Sequence, residues 1–339
     1  MKILIGLSGG LDSTYAAHLL KEQGHTVVGA AVIMHQYTDI SAATEAAEAV
    51  GIPFVTIDMT DEFRKRVVAR FISDYKNGRT PNPCVECNPA VKFGALCDHA
   101  EKNGFDKVAT GHYALTEYEN GRYYIKADTD GGKDQSYVLW KLSQKQLSML
   151  YLPLKNMIKS DIREKASALG YKAAQSKDSQ DICFIPDGDY ISFIKNETGL
   201  SFPEGDFLDA DGNVIGKHKG IINYTVGQRK GLGAFGKPMF VSLINGESNT
   251  ITLVPSGSEY SAETVINELS FMKLPEMKEG SIKATCRVRY SAKPMPCTVR
   301  FEGERAYVSF EANVRAVTPG QSAVFYDGDD VLFGGIICS

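Results

Sequence analysis

Eight consecutive residues near the amino terminus have the types and order needed to hold a phosphate: Gly6-Leu7-Ser8-Gly9-Gly10-Leu11-Asp12-Ser13. Glycines let backbone N–H groups approach an anion with no Cβ in the way. The serine hydroxyls add donors, and the start of a helix adds positive potential. Asp12 could position Mg²⁺ or cap the following helix. No Gly-Lys-Ser/Thr ending follows, so the segment is not a Walker A loop. The plainer alternative is a Gly-rich turn whose helix is capped by Asp12 or Ser13. Met34, after the second strand pattern, is a candidate adenine contact or a core residue.

Thiols form the second chemical group. Cys84 and Cys87 make a Cys-x-x-Cys pair in Pro81-Asn82-Pro83-Cys84-Val85-Glu86-Cys87-Asn88, and Cys183 sits in Gln180-Asp181-Ile182-Cys183-Phe184-Ile185. Thiolates are the nucleophiles of sulfur transfer, and nearby positive charge makes them reactive; Lys92 and Lys177 are local sources of it. One Cys-x-x-Cys is half a zinc site, and no second pair exists. With Cys183 the set becomes three thiolates, enough for a four-iron cluster with one open position. Cys97 lies on an apolar helix face and reads as core; Cys286, Cys297 and Cys338 fall in a β-rich region and read as structural.

These groups need a scaffold, and the first third of the chain alternates strand and helix patterns. Strands are expected at Lys2–Leu7, Thr26–Ile33 and Pro53–Ile57, and helices at Asp12–Gln23, Ser41–Val50 and about Asp61–Ser73. Such alternation implies a doubly wound parallel sheet with right-handed crossovers. Asn77–Pro89 reads as a loop carrying the Cys pair, and Ala90–Asn103 as a helix leading to a strand at Lys107–Thr110. Tyr113–Tyr118 and Arg122–Lys126 flank Glu119-Asn120-Gly121 as a hairpin, and helical patterns cover Ser143–Tyr151 and Ser160–Leu169. After about residue 198 short strands separated by Gly-rich turns take over. Runs at Lys283–Tyr290, Cys297–Phe301, Arg305–Phe310, Ala323–Tyr326 and Gly334–Cys338 fit a small β-barrel. The expected domains are 1–198 (catalytic α/β), 199–262 (small, central) and 263–339 (β-barrel).

The 339 residues include 43% apolar and 23% charged side chains, with a formal net charge of -4. That balance does not mark a nucleic-acid binder, so an RNA reader must concentrate its positive charge on one face. Lys217-His218-Lys219, Arg229-Lys230, and Arg287 with Arg289 and Lys293 are such clusters. No apolar run nears the roughly 18 residues of a membrane span, and the start does not resemble a secretory signal. Seven cysteines, an odd number, argue against a disulfide framework. A cytoplasmic location without membrane partners is expected.

Taken in order, these segments resemble a bacterial tRNA-specific 2-thiouridylase nearly end to end. Ser8–Ser13 is similar to the SGGxDS signature of ATP pyrophosphatases, which cleave ATP between the α and β phosphates. The other carriers are Thr80-Pro81-Asn82-Pro83, Cys87-Asn88, Lys92-Phe93-Gly94, Ala109-Thr110-Gly111-His112-Tyr113, Lys133-Asp134-Gln135-Ser136-Tyr137, the stretch from Ser176 to Ile185, Tyr224 to Gly233, and Pro319-Gly320-Gln321. The resemblance implies a PP-loop domain that binds ATP and Mg²⁺ through Gly6–Ser13, Met34 and Gly111 and adenylates the C2 oxygen of the tRNA wobble uridine, U34. It implies Cys183 as persulfide carrier and Cys87 as the second cysteine, with a transient disulfide between them. It implies tRNA contacts at His112, Lys133, Asp134, Gln135, Arg289, Tyr290 and Gln321 and in the central domain. The sulfur donor would be a cysteine desulfurase or a persulfide relay protein.

The chain departs from the family pattern in two places. Cys84 stands where many members carry Asp as a general base, which points either to another proton acceptor or to an iron–sulfur variant with Cys84, Cys87 and Cys183 as ligands. The segment after Met34 is also short, with about six residues before the next helix where family members often carry a longer Asp/Trp-containing loop, so the resemblance does not extend to the substrate side of the nucleotide pocket there. Two other readings remain open: a PP-loop thiolase acting on a small molecule, and a non-catalytic RNA-binding module.

Overall fold

The computed structural model describes residues 1–129, 133–175 and 182–338. Lys177 and most of the Ser176–Ile185 motif lie outside the described residues.

Strand β1 (Lys2–Gly6) is five residues whose Ile3, Leu4 and Ile5 have no solvent exposure. Burial on both faces is why its sequence runs apolar instead of alternating. Helix α1 (Leu11–Glu22), β2 (Thr26–Ile33), α2 (Ile40–Val50) and β3 (Phe54–Asp58) follow as the periodicity implies. The basic helix begins as α3 (Thr60–Phe63), passes through a π-helical turn at Arg64–Val68, and continues as α4 (Ala69–Lys76).

The expected Cys-bearing loop is partly helical. Helix α5 (Pro83–Cys87) starts at Asn82, whose side chain accepts from the Cys84 N–H at 3.2 Å, with Pro83 in the first turn. These are strong helix-start signals that a count of prolines obscures. A second π-helical turn, Asn88–Lys92, joins α5 to α6 (Phe93–Lys102). Then come β4 (Lys107–Ala109) and the hairpin β5 (Leu115–Glu119) and β6 (Arg122–Lys126). The hairpin turns on Asn120 (φ 52°) and Gly121 (φ 80°), the left-handed pair that matches strand twist. Helix α7 (Gln144–Met149) has a Ser143/Gln146 capping box and runs into β7 (Leu150–Tyr151); α8 (Lys159–Ala168) and α9 (Tyr190–Thr198) complete this part.

The first sheet is all parallel, in the order β3-β2-β1-β4-β7. Chain direction through the sheet reverses between β1 and β4, so the crevice at their carboxyl ends is where such a fold binds ligand. A central sheet follows, made of β8 (Gly205–Leu208), β9 (Val214–His218), β10 (Met239–Asn245) and β11 (Thr250–Pro255), ordered β10-β11-β8-β9.

The last part is a closed six-stranded barrel. It contains β12 (Tyr260–Phe271), β13 (Glu279–Arg287), β14 (Met295–Glu302), β15 (Arg305–Arg315), β16 (Ser322–Asp327) and β17 (Asp330–Ile337). Closure comes from β12 pairing with both β15 and β17, which leaves no free edge. Strand β12 starts at Tyr260 and interrupts its β17 pairing between Asn267 and Ser270. The β5–β6 hairpin joins the barrel through β6–β17 pairing and the Ala127 N–H to Asp329 carbonyl bond at 2.8 Å. The α/β domain and the barrel are therefore sewn together by backbone.

Candidate active site

The Gly6–Ser13 loop lies at the switch point. The first helical bond of α1 runs from the Thr14 N–H to the Gly10 carbonyl at 3.1 Å, so the N–H groups of Leu11, Asp12 and Ser13 have no acceptor within the helix. Gly10 is the N-cap, and no side chain caps the helix. Ser13 Oγ instead donates to the Gly10 carbonyl at 3.1 Å and accepts from the Ser8 N–H at 3.2 Å, which folds the loop on itself. Gly9 has φ 75°, and a Cβ there would come 2.5 Å from the Ala42 Cβ at the start of α2. Gly111 serves packing too: its Cβ would come 2.6 Å from the Asp12 carbonyl carbon, so only glycine lets the end of β4 close on the loop.

Asp12 is free to face the crevice because it does not cap. Its Oδ1 accepts from the Tyr113 hydroxyl at 2.7 Å, and its Oδ2 meets Lys159 Nζ at 3.1 Å and Lys133 Nζ at 3.4 Å. Sequence reasoning singled out Lys133, met Tyr113 only as part of a motif with no role assigned, and missed Lys159. Lys159 did carry a signal. It opens helix α8, where a cation opposes the helix dipole and a local preference would not place it.

The thiols gather one loop away. Cys87 is buried with its Sγ 3.5 Å from the Met34 sulfur, while Cys84 and Cys183 are exposed. Burial pushes the Cys87 thiol up to about 12; Lys92 opposes this, and the charges of Cys183 and Cys84 add to it. Cys183 is raised as well, by desolvation first and then by Cys84, again against Lys92. Cys84, Cys87, Cys183 and Lys92 thus share one locality. The expectation of a low-pKa thiol is not met in this state, because burial outweighs the single lysine. Met34, a candidate for adenine, packs on Cys87 at the end of β2.

His112 links the two groups. Burial, then Lys92 and Lys133, lower its pKa to about 3, so the imidazole is neutral, with Nδ1 2.8 Å from the Thr110 hydroxyl.

Of the residues expected to touch tRNA, His112, Lys133 and Gln135 make contacts within the α/β domain, whereas Asp134, Arg289, Tyr290 and Gln321 make contacts between domains. Gln135 brackets Tyr113: its N–H donates to the Tyr113 carbonyl at 2.8 Å, and its Oε1 accepts from the Tyr113 N–H at 3.0 Å. Asp134 accepts from Arg287 of the barrel at 2.7 Å, and its carbonyl accepts from the Tyr290 hydroxyl at 3.0 Å. Arg289 donates to the Val226 carbonyl of the central domain at 2.9 Å and to the Thr318 hydroxyl. Gln321 donates to the Thr80 carbonyl at 2.7 Å, beside the Thr80 N–H to Pro319 carbonyl bond. These bonds tie all three parts of the chain to one another. Among the described residues, no group of three or more His, Cys, Asp or Glu is placed to hold a metal ion.

A glycine-rich anion cradle at the switch point of a parallel sheet defines a nucleotide-binding α/β domain of the ATP-pyrophosphatase type. Residues 1–187 match the tRNA methyl transferase HUP domain family, 191–255 its PRC-barrel domain and 261–337 the aminomethyltransferase beta-barrel domain. The tRNA-specific 2-thiouridylase of Acetivibrio thermocellus is 42% identical over 99% of this chain and 99% of its own. That of Clostridioides difficile is 42% identical over 99% and 98%. The chain belongs to the family of bacterial tRNA-specific 2-thiouridylases. Among solved structures, a 4-thiouridine synthetase–RNA complex with bound ATP covers 58% of this chain and 50% of that chain at 18% identity and a TM-score of 0.37, too remote to carry an argument.

Proposed function

We propose that this chain is an ATP-dependent tRNA-uridine 2-sulfurtransferase that modifies the wobble uridine, U34. The observation that carries the reading is the shared locality of three thiols and Lys92, joined through His112 and Lys133 to the Asp12 loop.

ATP phosphates would lie on the N–H groups of the Ser8–Ser13 loop. Lys133 and Lys159 would turn from Asp12 to the phosphates and neutralise charge as pyrophosphate leaves. Asp12, the loop's one carboxylate, would hold Mg²⁺ together with ATP oxygens, and that ion would stabilise the leaving pyrophosphate. The uridine C2 oxygen attacks the α-phosphorus, the α–β bond breaks, and C2 becomes an adenylated electrophile.

The terminal sulfur of a Cys183 persulfide then attacks C2, and AMP departs with the original oxygen. Cys87 thiolate attacks the Cys183 sulfur and breaks the Cys183–S bond. The sulfur stays on C2, and a Cys87–Cys183 disulfide forms that a thiol reductant must return to two thiols. The high resting pKa of Cys87 fits a latent thiol that is used only once substrate has altered its surroundings. The persulfide itself would come from a cysteine desulfurase or a relay protein.

A four-iron cluster on Cys84, Cys87 and Cys183 is the other use of these thiols. The donor chemistry suits it. The arrangement does not: Cys87 is buried against Met34, and the three are not grouped as metal ligands.

Release of pyrophosphate that depends on both ATP and tRNA, followed by 2-thiouridine in the product, tests the function. Binding of tRNA without pyrophosphate release would overturn it in favour of a binding module.

A further inference from the structure

Helix α5 holds two of the three site cysteines, Cys84 and Cys87, and one carboxylate between them, Glu86, faces a charged network that crosses into the barrel. Lys141 bridges Glu86 and Glu268, the latter at 3.0 Å. Arg70 on α4 forms two bonds to Glu268, one at 2.8 Å, and approaches Glu86 at 3.4 Å and Asp74 at 3.7 Å. Arg70, Asp74 and Glu86 of this network line a small crevice with Asn82, Gly320 and Ile336.

Glu268 has an unusual backbone. It has φ 48°, one of few non-glycine residues with a left-handed φ, and it lies within strand β12. It sits where β12 advances three residues from Asn267 to Ser270 while β17 advances two, from Ile336 to Gly334. That is a bulge, a device that re-aims a side chain, and a Glu held there costs local strain. The return on that strain is visible: the re-aimed carboxylate meets both Arg70 and Lys141. Burial alone would raise the Glu268 pKa, but these two cations hold it down at about 2, so the charge is present at any working pH.

We propose that Glu268 is a positioning residue for sulfur transfer: through Arg70 and Lys141 the barrel bulge fixes Glu86, and with it the helix that holds Cys87 against Met34. The proposal rests on the sulfur-transfer reading above. It separates the two halves of that reaction, since none of the network residues touches the Asp12 loop in the contacts described.

The deciding variant is Glu268→Gly, because glycine takes φ 48° without strain and the fold should not suffer. Glu268→Gln, which keeps part of the hydrogen bonding, should fall between it and the parent. Lys273→Ala is the control, since it breaks a different barrel–hairpin link, the 3.0 Å pair with Glu119. Maleimide labelling of the full chain, resolved by peptide, reports release of Cys87, with buried Cys97 as internal reference. In E268G, Cys87 labelling should rise about tenfold, equivalent to ~1.4 kcal/mol, with Cys97 unchanged. Thiouridine formed per AMP released should drop while AMP release persists. Unchanged Cys87 labelling in E268G, or an equal rise in K273A, would overturn the proposal. If the parent makes no thiouridine at all, the sulfur-transfer reading fails, and the labelling comparison still decides the clamp.

Discussion

Lys159→Met tests the phosphate site most directly. Lys159 occupies the first turn of α8, where a cation costs about 0.3–1 kcal/mol against the helix dipole. Its partly buried pair with Asp12, at 3.1 Å and with 18% of the lysine side chain exposed, returns a similar amount, on the order of 1 kcal/mol. Removing it should therefore leave thermal stability within about 1 kcal/mol of the parent. The reaction should suffer more. A charge-assisted hydrogen bond to a phosphate is worth roughly 1.5–3 kcal/mol, or about 10- to 150-fold in kcat/KM for ATP. A coupled pyrophosphate assay at saturating tRNA, with ATP varied, measures that loss beside a thermal melt. An unchanged kcat/KM would show that Lys159 only neutralises Asp12. A collapsed melting temperature would show that the lysine is structural and refute the argument.

Gly111→Ala should destabilise the chain by about 1–3 kcal/mol and abolish nucleotide binding, since the added Cβ meets Asp12 backbone at 2.6 Å; melts and ATP titration check both. The depressed His112 pKa means that the unfolded chain takes up a proton below about 6.5 while the folded chain does not until about 3. Stability from this group is therefore full above pH 6.5 and lost as pH falls through that window. His112→Gln should flatten the acid side of a melting-temperature profile. The raised Cys87 thiol has the opposite sign: its contribution is full below about 9 and falls as pH climbs toward 12, so stability should decline in that range and Cys87→Ala should remove part of the decline. For Cys84, anaerobic preparation with iron and sulfide analysis should find no stoichiometric iron, and Cys84→Asp should retain thiolation. Roughly four irons per chain with loss of activity in Cys84→Asp and Cys84→Ser would reverse that assignment.

Much of the α/β domain was legible because its signals are local. Buried strands such as Thr26–Ile33 are continuous apolar runs, and glycines such as Gly51 stop helices wherever they stand. The Ser8–Ser13 loop was legible for the same reason: glycine, serine and a helix start must be contiguous to cradle an anion. The Cys pair was found but misplaced in a loop, since its prolines obscured an Asn82 cap that makes Pro83 a helix opener.

Tertiary structure alone decided what these residues face. Tyr113, Lys133 and Lys159 reach Asp12 from 101, 121 and 147 residues away, and no local pattern encodes a pairing across that separation. The motifs Lys133–Gln135, Arg289-Tyr290 and Pro319–Gln321 read as ligand contacts from the sequence, whereas their docking shows them bonded between domains. Thiol acidity was equally out of reach, because it depends on burial and on which charges surround a sulfur. Residue type and contiguity were enough to show which groups could do chemistry. Their partners, protonation and distances were settled by packing, because desolvation and Coulomb interactions act across space and not along the chain.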